Sequence, residues 1–133
     1  MKGRVLIADY ELSLSRCVAT FLETKDFEVQ TVGSAASAIV ALGSSEFDVV
    51  ITDIALETQT AGYDIVRAAK CQFYEPEVVV FTSLEVDATE CKRRGVKKLF
   101  PKGDVEISTV SNAVNKIFDE RARRRALSPT GVN

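Results

Sequence analysis

The chain has 133 residues and a mass of 14.5 kDa, with 46% hydrophobic and 27% charged residues and 17 Lys plus Arg against 19 Asp plus Glu. That is the length and composition of one ordinary globular domain, able to bury about two-thirds of its unfolded surface without a metal or disulfide staple. Intrinsic disorder, collagen, a disulfide scaffold and a strongly basic nucleic-acid domain are excluded, and the absence of histidine removes Ser-His-Asp and Cys-His catalysis, His-ligated metals and His-based pH sensing.

Strand-length apolar runs alternate with segments of helical period, the pattern of an α/β domain with a parallel sheet. A first strand is predicted over Val5 to Ala8, then a helix from Leu12 to Thr24 with Leu14, Cys17, Val18, Phe21 and Leu22 on its inner stripe. A short alternating strand over Glu28 to Val32 reads as an edge. The next helix runs from Ser34, its N-cap, to Leu42, with Gly43 as its stop. Val49 to Thr52 is a strand of near-continuous hydrophobicity, followed by a helix from Gly62 or Tyr63 to Phe73, ahead of Pro76. Val78 to Phe81 is the fourth strand. Val86 to Arg94 is the least apolar helix and the most loosely held, closed by Gly95. Lys97 to Phe100 is a short fifth strand. A last helix spans Val105 to Arg124 with Val110, Val114, Ile117 and Phe118 inward, and a tail over residues 127–133 frays. Residues 1–126 form the one domain.

The longest apolar runs hold about four residues, such as Val78 to Phe81, against about 20 for a membrane helix; the N-terminal run is too short for a secretory leader. Neither membrane insertion nor export is expected. Cys17, Cys71 and Cys91 have no paired spacing, so they are expected to be small buried or half-buried thiols in a reducing cytoplasm.

Four polar residues fall just after four strand-like runs. Asp9 follows Val5-Leu6-Ile7-Ala8, Asp53 follows Val49-Val50-Ile51-Thr52, Thr82 follows Val78-Val79-Val80-Phe81, and Lys102 lies two residues past Leu99-Phe100. Open parallel sheets bind ligands at the carboxyl ends of their strands. If the first and third strands are neighbours, about 4.8 Å apart, the two aspartates come within reach of each other. Such a pair repels unless a cation lies between, and a hard ion such as Mg²⁺ suits oxygen ligands. Lysine adds a point charge and threonine a hydroxyl donor. Those are the components for forming an acyl phosphate on aspartate. Taken singly, each residue has an ordinary structural explanation: aspartates as caps, Thr82 as a turn former, Lys102 as a solvated charge.

This ordered set, with Phe47-Asp48 leading the third strand and Gly95-Val96-Lys97-Lys98-Leu99-Phe100-Pro101-Lys102 at the end, resembles the receiver domain of bacterial two-component response regulators over about residues 4–120. The resemblance implies a flavodoxin-like (βα)5 sandwich with strand order 2-1-3-4-5, and a signalling domain rather than an enzyme. It implies Asp53 as phosphoacceptor from a sensor histidine kinase or phosphotransfer protein. It implies Mg²⁺ held by Asp9, Asp53 and the backbone carbonyl of Ala55, and Thr82 and Lys102 contacting the phosphoryl group. A downstream protein partner would meet the face of the fourth helix, fifth strand and fifth helix.

The sequence departs from the family pattern in four places. Tyr10 stands where a second acid is usual, which weakens Mg²⁺ binding because a phenol stays protonated at neutral pH; Glu11 is a possible substitute, and Tyr10 is expected half-buried over the pocket mouth. Glu57 replaces a common proline, and Gly62 comes one place late, so the loop from Ala55 to Ala61 is longer by one. Gly103 replaces the proline after the lysine, which puts the aim of Lys102 at issue. Leu99 stands at the aromatic switch position. Two readings follow: an active phosphoreceiver, or a phosphorylation-independent pseudo-receiver that only binds protein. A flavodoxin-like nucleotide or flavin binder lacks any GxGxxG or P-loop. Residues 1–120 carry 13 basic and 19 acidic residues, whereas Arg121, Arg123, Arg124 and Arg125 meet no acid after them. Those arginines read either as cations favourably placed at a helix C-terminus or as a contact for an acidic partner. Nucleic acid is not an expected partner, since four arginines without a reading helix give only weak binding.

Overall fold

The computed structural model describes residues 1–127. Ten elements alternate: β1 (Gly3–Ala8), α1 (Leu12–Glu23), β2 (Phe27–Val32), α2 (Ala35–Ser44), β3 (Val49–Thr52), α3 (Ala61–Lys70), β4 (Glu77–Thr82), α4 (Ala88–Arg93), β5 (Lys98–Pro101) and α5 (Ile107–Ala126). The sheet is all parallel in the order β2-β1-β3-β4-β5. This is the expected flavodoxin-like (βα)5 sandwich. Residues 128–133, most of the expected tail, lie outside the described residues.

The strands have two apolar faces because helices cover both sides of the sheet. Alternate residues point opposite ways. Val5, Ile7, Val49, Ile51, Val79 and Phe81 pack under α1 and α5, with Val18, Leu22, Val110, Val114 and Ile117 opposite them. Leu6, Ala8, Val50, Val78 and Val80 pack on the other side against α2, α3 and Cys91 of α4. Full burial of each such side chain contributes about 1.5–3 kcal/mol. Strand order reverses between β1 and β3, so their carboxyl ends frame the crevice of the topological switch point.

Several details differ from the sequence expectation. The buried residues of α1 are Ser15, Val18, Ala19 and Leu22, one step round from the expected stripe. Small Ser15 and Ala19 let the helix sit close to the sheet, leaving Cys17 and Phe21 exposed. Cys71 is exposed as well, and only Cys91 is a buried thiol. Gly43 does not stop α2, which continues through it to Ser44. Helix α4 is a short piece with one buried residue, Cys91, capped by Asp87, whose carboxylate accepts from the Thr89 and Glu90 amides; this agrees with its poor apolar content.

The inner stripe of α5 runs Val110, Val114, Ile117 and then Arg121. Phe118 is half-buried and packs edge-on against Phe27. Arg121 is buried and satisfied: its guanidinium donates to Asp48 Oδ1 at 2.6 Å, to the Tyr74 carbonyl at 2.6 Å and to the Glu75 carbonyl. Arg125 also donates to the Tyr74 carbonyl, and Arg124 pairs with Glu77. Three of the four terminal arginines therefore tie α5 to the amino-terminal rim of the sheet, more than the helix-terminus electrostatics that sequence alone offers.

Candidate functional site

At the opposite rim, Asp9 directly follows β1 and Asp53 directly follows β3. Their register is fixed by the β1–β3 ladder, Ala8 opposite Thr52. The Asp53 amide donates to the Ala8 carbonyl and the Asp9 amide to the Val32 carbonyl. Both aspartates are buried, at 3% and 6% exposure. The chain turns after Asp9, and Glu11 begins α1. The Glu11 amide donates back to Asp9 Oδ1 at 2.8 Å, and this bend brings Glu11 alongside Asp9 while Tyr10 is left on the outside. Tyr10 is 75% exposed, which corrects the expectation of a half-buried ring over the pocket. Nothing buries it, because α1 starts immediately and carries the chain off.

Lys102 lies just past β5, where its amide donates to the Thr82 carbonyl. Its ammonium is 2.7 Å from Asp53 Oδ2, 2.7 Å from Glu11 Oε1 and 3.0 Å from Asp9 Oδ1. An ammonium has three donors, and here each carboxylate receives one. The side chain is only 7% exposed, and its Nζ lies 5.8 Å from the Phe81 ring centroid. Gly103, at φ 87°, lets the chain turn left-handed after the lysine without proline. The lysine thus keeps its aim despite that departure.

One cation against three carboxylates leaves the pocket negative. Burial pulls the Lys102 ammonium toward its neutral form, but the bonds to Asp53, Glu11 and Asp9 outweigh burial and hold its pKa above the usual lysine range. Burial also pushes the Asp9 carboxyl up, and the bonds it accepts from Lys102 and the Glu11 amide only partly offset that. Asp53 is held on both oxygens: Oδ1 accepts from the Ile54 amide at 2.7 Å and the Ala55 amide at 3.3 Å, Oδ2 from Lys102. Each carboxylate oxygen has two lone pairs, so Oδ2 retains one for a further bond.

Oxygens of Asp9, Glu11 and Asp53 all lie within 4.8 Å of one another. That donor set, all carboxylate, fits a hard divalent ion, and Ala55 follows directly on the same loop. Glu11 therefore stands where sequence placed only a possible ligand. Thr82 ends β4, is 1% exposed, and its Oγ1 accepts from the Leu84 amide at 3.2 Å. This is the turn-forming role a threonine plays here by itself, and among the described residues its hydroxyl makes no bond to Asp53.

In the sequence Glu57 stands out only as the residue in place of a common proline. The structure puts its carboxylate on the N-terminus of α2, accepting from the Ala35 amide at 2.7 Å and the Ala36 amide at 3.2 Å. The Ala35 N–H, with that of Ala36, lowers the Glu57 carboxyl pKa below the usual glutamate range. Ser34 caps the same helix through the Ser37 amide, as expected. An acid on the neighbouring loop was no visible signal, because helix caps are sought one to three residues upstream in sequence. Gly62 closes the loop. Its amide donates to the Ile54 carbonyl at 2.8 Å, and a Cβ at that position would overlap the Asp53 carbonyl oxygen.

Residues 5–115 match the family model of the response regulator receiver domain. The chain belongs to that family. The fold is similar to a signal receiver domain from Vibrio parahaemolyticus, with a TM-score of 0.83, 17% identity and coverage of 96% of this chain and 97% of that one. It is also similar to a CheY-like response regulator receiver domain from Methanospirillum hungatei, with a TM-score of 0.83, 16% identity and coverage of 92% and 98%. A third similar structure is the receiver domain of the sensor histidine kinase PA1611 from Pseudomonas aeruginosa, which holds a magnesium ion in its active-site cleft; there the TM-score is 0.74, with 13% identity and coverage of 88% and 98%. No curated protein matches the sequence. Among the described residues, no helix is long and apolar enough to cross a membrane.

Proposed function

We propose that this receiver domain accepts a phosphoryl group on Asp53 from a phosphohistidine of a sensor kinase or phosphotransfer protein, and that the modification changes its binding to a downstream protein. The observation that carries this reading is the single ammonium of Lys102 shared by Asp53, Asp9 and Glu11. A group joined to Asp53 Oδ2 arrives within reach of a cation and of the acids able to hold a divalent ion. In the transfer, a new O–P bond forms at the aspartyl oxygen as the donor's N–P bond breaks, and the imidazole leaves with the electron pair.

Asp9, Glu11, Asp53 and the Ala55 carbonyl would hold Mg²⁺, which neutralises phosphoryl oxygens when bound. Lys102 keeps its charge throughout, since its pKa is raised, and balances the anion from the β5 side. The Thr82 hydroxyl already accepts from Leu84 and still has its own hydrogen to donate to a phosphoryl oxygen.

An open groove lined by Leu14, Phe21, Phe81, Lys102, Val105 and Ile107 adjoins the pocket and suits the apolar face of a donor helix. Exposed Lys92, Lys97 and Lys98 beside half-buried Leu99 give the α4–β5–α5 face a basic rim around an apolar strip, suited to an acidic amphipathic partner. The test is incubation with a small phosphodonor and Mg²⁺, read by intact mass. A gain of one phosphoryl group that needs Mg²⁺ and vanishes in Asp53→Asn is expected. No gain, or one that persists in Asp53→Asn, overturns the proposal.

A further inference from the structure

We propose that Glu57 is a positioning residue for the acid pocket, strapping the loop that carries Asp53 and Ala55 onto the N-terminus of α2. The inference rests on the phosphoreceiver reading for its metal readout, but its geometry stands independently of that reading. The segment from Asp53 to Gly62 leaves the carboxyl end of the central strand β3 buried and becomes exposed over residues 57–60. Besides turn bonds among Leu56, Thr58 and Ala61 and the packing of Leu56 on the core, it is tied at two points. At its far end the Gly62 amide returns to the Ile54 carbonyl at 2.8 Å. At its middle the Glu57 carboxylate takes the Ala35 and Ala36 amides. Ala55 lies between these ties, and its amide already donates to Asp53 Oδ1.

The helix does not depend on Glu57 alone. Ser34 satisfies the Ser37 amide, and the Ala38 amide finds the Ser34 carbonyl. The remaining two free amides of the first turn are those taken by Glu57. Carboxylate at a helix N-terminus is favourable both as acceptor and against the macrodipole. Because the acceptor comes from the neighbouring loop and not from the helix's own cap, the same two bonds that cap α2 also fix the position of the loop. Residues that orient metal ligands typically change metal affinity by 10–100-fold when removed. Glu57 stands two residues from the Ala55 carbonyl and four from Asp53, close enough for its tie to set where both face.

A simple helix cap and a loop strap make different predictions, and Ser34 separates them. Glu57→Ala and Ser34→Ala each remove part of the α2 cap, and both are expected to lower the thermal midpoint. Only Glu57→Ala is expected to weaken Mg²⁺ binding, by about 10-fold in a calorimetric titration, with Glu57→Gln intermediate because one amide oxygen can still accept. Only Glu57→Ala is expected to speed hydrogen exchange at the Gly62 and Ala55 amides, while Ser34→Ala leaves them at the wild-type rate. Equal effects of the two variants on Mg²⁺ affinity or on those amides overturn the positioning role. So does a Glu57→Ala protein whose Gly62 and Ala55 amides exchange as in wild type. Failure of the wild-type protein to bind Mg²⁺ overturns the proposed function, and the exchange comparison then decides the strap by itself.

Discussion

Replacing Lys102 by methionine keeps most of the side-chain volume and removes the one charge that three carboxylates share. Glu11 is largely exposed and can turn to water, so its loss is worth little. Asp9 and Asp53 cannot, being almost fully buried. Removing one partner from a buried pair costs about 3–5 kcal/mol. Proton uptake sets a ceiling: from an ordinary aspartate pKa of about 3.9, protonation at pH 7 costs 3.1 times 1.36, or about 4 kcal/mol, and less for Asp9 because burial already raises it. A deficit of about 3–4 kcal/mol in a chain of 133 residues lowers the thermal midpoint by roughly 10–15 °C. The sign with pH follows. In wild type the raised Lys102 contributes its full stability below the ordinary lysine pKa and loses it only as pH rises through its folded value, so the Lys102 contribution is constant between pH 5 and 7. In Lys102→Met buried carboxylates face one another with no cation between them, and that penalty is relieved by proton uptake as pH falls. The ceiling at pH 5 is only about 1.5 kcal/mol. Thermal melts of both proteins in chelator at pH 7 and pH 5, repeated with Mg²⁺, check this, and the ion is expected to raise the variant's midpoint more than that of wild type. A variant as stable as wild type at pH 7, or with a deficit that does not shrink at pH 5, refutes the reasoning.

Gly62→Ala places a Cβ 2.5 Å from Ile54 Cα and overlapping the Asp53 carbonyl; it is expected to cost about 1–3 kcal/mol in urea denaturation and to weaken Mg²⁺ binding as the loop shifts. Arg121→Met leaves Asp48 Oδ1 and the Glu75 carbonyl without the guanidinium and leaves the Tyr74 carbonyl to Arg125 alone; it should lower stability by about 1–3 kcal/mol, read as a fall in the urea midpoint with no change in phosphorylation. Tyr74→Phe removes a 2.7 Å bond to the Leu42 carbonyl, about 1 kcal/mol. Burial raises the Tyr74 phenol, so wild type loses this stability as pH climbs past about 10, and the gap between the two proteins should narrow there.

The sheet was legible because strands buried on both faces read as uninterrupted apolar runs: Val49 to Thr52 has the expected bounds, and Val78 to Phe81 falls within β4. Strand order was not legible from period or composition and came only with the family resemblance. The four site residues were found by position after each strand. What they would do together was less visible, since Lys102 contacts residues 49, 91 and 93 positions away. Glu11 is hard to place from sequence because alternation along a strand ends at Ala8, and it is the bend closed by the Glu11 amide on Asp9 Oδ1 that brings it to the pocket. Helical stripes misled where small residues face the sheet, as Ser15 and Ala19 do. They misled again where a buried arginine extends an apolar row, as Arg121 does after Ile117. Hydropathy scores such residues as outward-facing, although a guanidinium with three acceptors is at home inside.

The Lys102 amide and the Thr82 carbonyl share a hydrogen bond of 2.8 Å at the end of the sheet. Threonine hydroxyl and lysine ammonium are thus mounted on one rigid crossbar. A displacement of either strand end carries the other with it, so the loops after β4 and β5 are coupled through their backbones and not only through their side chains.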